Sequence, residues 1–197
     1  MNTRAIALTG GIACGKSEVA GILKSGGIPV IDTDAVAHSL LQPGQPVFEK
    51  VKNVFGNKCE SPEGGIDRKK LGAIVFSDPE ARGQLNAIMH PVIYEKVRDW
   101  LADQAKPHAV AMIPLLYETG AAKNFEKVLV VASDEAHALR RMHARGWTDA
   151  EARARVAAQW PVAEKVRRAD AVIYNNDDLE ALKGETWKAW KKITEGT

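Results

Sequence analysis

Arg4-Ala5-Ile6-Ala7-Leu8-Thr9-Gly10-Gly11-Ile12-Ala13-Cys14-Gly15-Lys16-Ser17 carries the strongest structural signal in the chain. Arg4 to Thr9 is a short apolar run that ends in two glycines, and from Lys16 to Lys24 the residues Val19, Ala20, Ile22 and Leu23 recur at helical spacing. Strand, glycine turn and helix therefore follow one another, and the turn satisfies Gly-x-x-x-x-Gly-Lys-Ser. Glycines let backbone N–H groups turn inward around phosphate oxygens, and the helix N-terminus adds a partial charge of about +0.5 e. Lys16 suits the β and γ phosphates as a point charge, and the Ser17 hydroxyl suits a Mg²⁺ ion bridging them. A nucleoside triphosphate with Mg²⁺ is the expected ligand. Cys14 reads as a small residue tolerated in a tight loop, although a helix N-terminus lowers a thiol pKa.

Working outward, Gly26-Gly27 stops the helix, Ile28 to Ile31 reads as a second strand, and Asp32-Thr33-Asp34 falls at its C-terminal end. Further strands are predicted at 109–113, 128–132 and 171–174, which with helices between them give a parallel α/β sheet. Asp32 and Asp34 are expected on the strand beside the phosphate-loop strand, where a carboxylate could accept a hydroxyl proton. The alternative for Asp34 is N-cap of a helix starting at Ala35, and the two roles are compatible. Residues 35–105 read as mostly helical with a polar interruption from Gly56 to Gly65, a candidate substrate-binding appendage. The stretch from Arg140 to Arg168 interleaves Arg141, Arg145, Arg153, Arg155, Arg167 and Arg168 with small apolar residues, as either a second appendage or a solvated helical hairpin. From Asp177 to Ile193, Leu179, Leu182, Trp187, Trp190 and Ile193 predict a helix packed on the sheet.

The 197 residues, 45% hydrophobic and 26% charged, suffice for one core with small appendages. A net charge of +2, from 27 basic and 25 acidic side chains, offers no broad field for a nucleic acid or an anionic membrane. The first apolar run is too short for a secretory signal, and no stretch reaches the ~20 apolar residues of a membrane span. A cytoplasmic protein, monomeric or a small homo-oligomer, is expected. Cys14 and Cys59 have neither CxxC spacing nor a histidine cluster, so no disulfide framework or structural metal is indicated.

A phosphate loop alone is common to small-molecule kinases, GTPase switches and regulatory ATPases. No Asp is followed by Gly three positions later, which removes the usual switch GTPase, and Asn57-Lys58-Cys59-Glu60 has Glu where a guanine-reading motif needs Asp. Transfer of a phosphoryl group to a small-molecule hydroxyl is the reading that remains strongest. Another nucleoside or nucleotide kinase and a regulatory ATPase stand behind it.

Several ordered motifs make the chain resemble the dephospho-CoA kinase family. They are Leu8-Thr9-Gly10-Gly11-Ile12, Asp32-Thr33-Asp34, Asp67-Arg68 with Leu71, Val75-Phe76, Leu85 to Pro91, Pro114-Leu115-Leu116-Tyr117-Glu118, Gln159 and Val172 to Asn176. The resemblance implies a three-layer P-loop kinase fold with a five-stranded parallel sheet, a helical substrate-binding insertion and a helical lid. The nucleotide-binding core would comprise 1–34, 106–139 and 169–197, the CoA-substrate domain 35–105, and the lid 140–168. It implies ATP-dependent phosphorylation of the ribose 3′-hydroxyl of dephospho-CoA, the last step of CoA synthesis. By the same resemblance Asp34 is the general base, with Lys16 and Arg141 also catalytic, and Asp34 and His90 meet the acceptor. Gly11, Ala13, Cys14, Gly15, Lys16, Ser17, Glu18, Arg145 and Asn175 would bind the nucleotide, with Ser17 on the metal. The chain departs from the family pattern at Ala13-Cys14, where Gly-Ser is usual, at Glu18 in place of a hydroxyl residue, and at Tyr174, where an acid is common. Glu18 is expected to face away from the α-phosphate, and Tyr117 and Glu118 receive no catalytic role.

Overall fold

The apolar runs become strands where the sequence places them, with shifts of one or two residues at their ends. The computed structural model describes residues 3–195, apart from the Asn57 side chain. Its strands are β1 (Arg4–Gly10), β2 (Val30–Asp32), β3 (His108–Met112), β4 (Lys127–Ala132) and β5 (Ala171–Tyr174). They form one parallel sheet in the order β2-β3-β1-β4-β5. The central strands are covered on both faces, so Ile6, Ala7, Leu8, Val110, Ala111, Leu129, Val130 and Val131 are buried irrespective of alternation.

This order corrects one expectation: β2 does not adjoin β1, because β3 pairs with both and lies between them. The order places the topological switch at β1, whose neighbours β3 and β4 lead to opposite edges of the sheet, and ligands of open α/β sheets bind at the strand ends there. β2 is also shorter than predicted. Pro29 lacks an N–H for the ladder, and its carbonyl instead accepts the N–H of Val110 at 2.9 Å.

The helices are α1 (Lys16–Ser25), α2 (Thr33–Leu40), α3 (Pro46–Phe55), α4 (Arg68–Ser77), α5 (Pro79–Ala102), α6 (Glu135–Ala144), α7 (Asp149–Ala157), α8 (Val162–Arg167) and α9 (Leu179–Glu195). α1 and α9 cover the sheet through Val19, Leu23, Leu182, Ala189 and Ile193. The inward stripe of α9 is Leu182, Thr186, Ala189 and Ile193, whereas Leu179 and Trp187, assigned to that face by hydrophobicity, are exposed. Thr186 fits the apolar face because its hydroxyl donates to the Leu182 carbonyl at 2.7 Å. Gly26, where α1 ends, leaves room for the Trp187 ring, which a Cβ there would meet at 2.1 Å.

Two compact units emerge, one of Met1–Asp32 with Leu101–Thr197 and one of Thr33–Trp100. In the second, α3 buries Val47, Phe48, Val51 and Phe55, and a 3-10 turn over Gly56–Cys59 opens the polar interruption. An antiparallel bridge between Glu60 and Ile66 closes it. Asp67 caps α4 by accepting the N–H groups of Lys69 and Lys70 at 2.9 and 3.1 Å, contacts that hold its carboxyl below the ordinary range. α2 starts at Thr33 rather than Ala35, so Asp34 lies within the first turn and is not the N-cap. The span 140–168 begins inside α6 and continues through α7 and α8. Among the described residues no helix is long and apolar enough to cross a membrane, and no group of three or more His, Cys, Asp or Glu could hold a metal ion.

Candidate active site

β1 delivers the chain into a loop whose glycines are dictated by close contacts. A Cβ on Gly10 would meet the Val131 carbonyl oxygen at 2.1 Å, and one on Gly11 would meet Val162 Cγ2 at 2.5 Å. Gly15 has φ +94°, and a Cβ there would lie 2.1 Å from Asn175 Nδ2. Gly15 is also the N-cap of α1 and supplies no side-chain acceptor, so the first-turn N–H groups face the space an anion takes at such a terminus. Ala13 holds φ +55°, a region that costs an L-residue roughly 1–2 kcal/mol and explains why glycine is usual there.

Lys16 Nζ donates to the carbonyls of Gly11 at 2.8 Å and Gly10 at 3.3 Å, so the ammonium lies over the loop it serves. Ser17 and Glu18 are exposed in the first turn of α1, where an acidic side chain interacts favourably with the helix dipole. Cys14 is a core residue, 1% exposed and clustered with Val131 and Ile173, and the Ser133 hydroxyl lies 3.6 Å from its sulfur.

Arg141, on α6, is drawn to the same loop. Its Nη2 donates to the Asn175 backbone carbonyl at 2.9 Å and to Oδ1 at 3.1 Å, and Nη1 reaches the Ala13 carbonyl at 3.4 Å. Asn175, only 6% exposed, donates through Nδ2 to the Cys14 carbonyl at 2.9 Å. Gly11, Ala13, Cys14, Gly15, Lys16, Arg141 and Asn175 are thus brought together, with Ser17 and Glu18 on the adjoining turn. Arg145 is the exposed C-cap of α6. Tyr174 is exposed beside α8, whereas Asn175 turns toward the loop.

Sequence reasoning passed over Lys165. It is fully buried, with Nζ 2.7 Å from Glu118 Oε1, 3.4 Å from the Pro114 carbonyl oxygen and 3.5 Å from that of Gly10. Glu118 Oε1 also accepts the Trp160 N–H at 2.9 Å, and the Trp160 ring stacks on Tyr117 with centroids 6.0 Å apart. Burial, and then the charge of Asp170, push the Tyr117 phenol up from its ordinary value. A lysine in an arginine-rich helical stretch carries no sequence mark of burial, although the Pro114 to Glu118 motif did mark its partner. A largely apolar cavity of about 440 Å³ adjoins these groups, walled by Ile12, Leu139, Met142, Val156, Trp160 and Val162.

Asp34 and His90 belong to the second unit. Asp34 is exposed in the first turn of α2. His90 is half-buried in α5, edge-on to the Tyr94 ring at 5.8 Å, and burial lowers its pKa from 6.5. Pro91 follows within the same helix and removes an N–H from its ladder.

The family model described as dephospho-CoA kinase matches residues 4–181. A dephospho-CoA kinase of Geobacillus kaustophilus is 46% identical over 182 residues, which cover 90% of each chain. Among solved structures, a Thermus thermophilus protein superposes with a TM-score of 0.88 at 35% identity, over 100% of both chains. Dephospho-CoA kinase from Campylobacter jejuni superposes with a TM-score of 0.70 at 33% identity, over 98% of both. A five-stranded parallel sheet, a phosphate loop at its switch point and likeness along nearly the whole sequence lead to one assignment: the chain belongs to the dephospho-CoA kinase family.

Proposed function

We propose that the chain transfers the γ-phosphoryl group of ATP to the ribose 3′-hydroxyl of dephospho-CoA, giving CoA and ADP in the final step of CoA biosynthesis. The observation that carries this reading is the phosphate loop, with Gly10 and Gly15 where an added Cβ would clash and Lys16 bent over it, in a member of this family. The nucleotide-binding core is residues 1–32, 101–139 and 169–197, the acceptor is held by the 33–100 unit, and 140–168 closes as a lid. The enzyme works in the cytoplasm on two small-molecule substrates.

Phosphoryl transfer asks the protein for positioning and electrostatic stabilisation rather than covalent chemistry. Lys16 leaves the Gly10 and Gly11 carbonyls for the β and γ phosphates, where its charge is better used. Asp34 accepts the proton of the attacking hydroxyl, and His90, kept neutral by burial, hydrogen-bonds the acceptor. Arg141 holds the loop and the Asn175 turn in register while Arg145 meets phosphate oxygens. The donor set fits Mg²⁺: Ser17 supplies one hydroxyl at the loop, and such an ion ordinarily takes its other ligands from phosphates and water rather than from a protein cage. When bound, it would offset phosphate charge.

The test is ADP formation with ATP and Mg²⁺, with and without dephospho-CoA, and the mass of the product. Acceptor-dependent ADP with one phosphoryl group added to dephospho-CoA is expected. Turnover indifferent to the acceptor would overturn the reading in favour of an ATPase.

A further inference from the structure

The Gly10 carbonyl stands between two ammonium groups. Lys16 Nζ lies 3.3 Å away and also bonds the Gly11 carbonyl, while Lys165 Nζ lies 3.5 Å away. The two lysines differ in burial. Lys16 is partly exposed in the first turn of α1, whereas Lys165 is 0% exposed and held by Glu118 and the Pro114 carbonyl. Burying a lysine is costly even when it is paired, and an apolar residue of similar volume often stabilises a core better. A buried ion pair touching the first glycine of the loop is therefore better explained by what it positions than by stability. Gly10 itself is closely packed, since a Cβ there would meet the Val131 carbonyl oxygen at 2.1 Å.

We infer that Lys165, oriented by Glu118, is a positioning residue that secures the Gly10 carbonyl when Lys16 departs for the nucleotide. Without it, moving Lys16 onto the phosphates strips the carbonyl of both cationic donors, and that desolvation cost opposes binding. With Lys165 in place one donor remains and the loop keeps its shape. Glu118 contributes by fixing the ammonium at 2.7 Å and, through the Trp160 N–H, by tying the α7–α8 connection to the same point. The role concerns the triphosphate end of the reaction, so it predicts an effect on ATP and none on the acceptor.

The inference rests on reading Gly10 to Ser17 as the ATP loop, and the experiment keeps the two apart by measuring ATP affinity directly, without acceptor. Lys165→Met combined with Glu118→Gln removes both charges while preserving volume. The expected result is a folded protein whose ATP Kd and KM rise about 10-fold, as for loss of one charge-assisted hydrogen bond, with the dephospho-CoA KM unchanged. A purely structural pair would lower the melting temperature of the free protein and leave ATP affinity intact, which would overturn the proposal. Should the double variant not fold, Glu118→Gln alone keeps side-chain length and is expected to raise the ATP Kd about 3-fold by loosening the ammonium. An unchanged Kd there overturns the proposal too. A parent protein that binds no ATP would instead defeat the loop assignment itself.

Discussion

Arg141 and Asn175 are joined twice: one guanidinium nitrogen donates to both the backbone and the side-chain oxygen of Asn175, at 2.9 and 3.1 Å. Because Asn175 in turn donates to Cys14, and Arg141 reaches Ala13, the turn after β5 and the phosphate loop form one hydrogen-bonded body. Asn175→Ala leaves a buried carbonyl and part of a guanidinium without partners. It is expected to cost about 1–3 kcal/mol in urea unfolding and to raise the KM for ATP.

Gly15→Ala is a sharper probe of the loop. The new methyl group meets φ +94° and an amide nitrogen 2.1 Å away, so either the loop or Asn175 must shift. ATP affinity is expected to fall ~10-fold or more, by isothermal titration, because the N–H groups no longer converge.

Asp34→Asn keeps the shape of the side chain and removes its basicity. The expected outcome is a fall of ~10²-fold or more in kcat with ATP affinity little changed. Near-normal turnover would show that another group takes the hydroxyl proton.

His90 provides a pH test. Burial lowers its folded pKa from 6.5, so on acidification the unfolded chain takes up the proton first. Its neutral-state contribution is intact above 6.5 and is lost as pH falls from there through the depressed folded value. In His90→Gln, the stability difference between about pH 7.5 and about pH 5 is expected to be smaller than in the parent, by denaturant titration at each pH.

Lid movement is expected in α7. Its buried face consists of Ala152 alone, although a capping box between Thr148 and Glu151 fixes its start, so few apolar contacts resist displacement. Amide exchange across 149–157 should slow when ATP and dephospho-CoA are both present. Unchanged exchange would argue for a fixed hairpin.

Local patterns made most of the core legible. Continuous β-branched and aliphatic runs located the strands, and the loop motif located α1, since both signals lie within a few adjacent residues. Strand order was not legible, because nothing in Ile28 to Asp34 records that β3 returns between β1 and β2. The same limit applies to Lys165, whose burial depends on Glu118 and Gly10, both remote in sequence. Hydrophobicity misjudged α9, where Thr186 is inside and Trp187 outside, because a hydroxyl bonded within its own helix buries at little cost.

The pairing of Val30 with Val110 joins two strands that flank the entire 33–100 unit along the chain. The entropy of closing such a loop rises only with the logarithm of its length, so the sheet is nearly indifferent to how much polypeptide is inserted there. A unit grafted at that point can be lengthened, trimmed or replaced while the phosphate-handling strands stay as they are. On the proposed reading, the donor chemistry would stay with the sheet while the acceptor-binding unit is free to diverge.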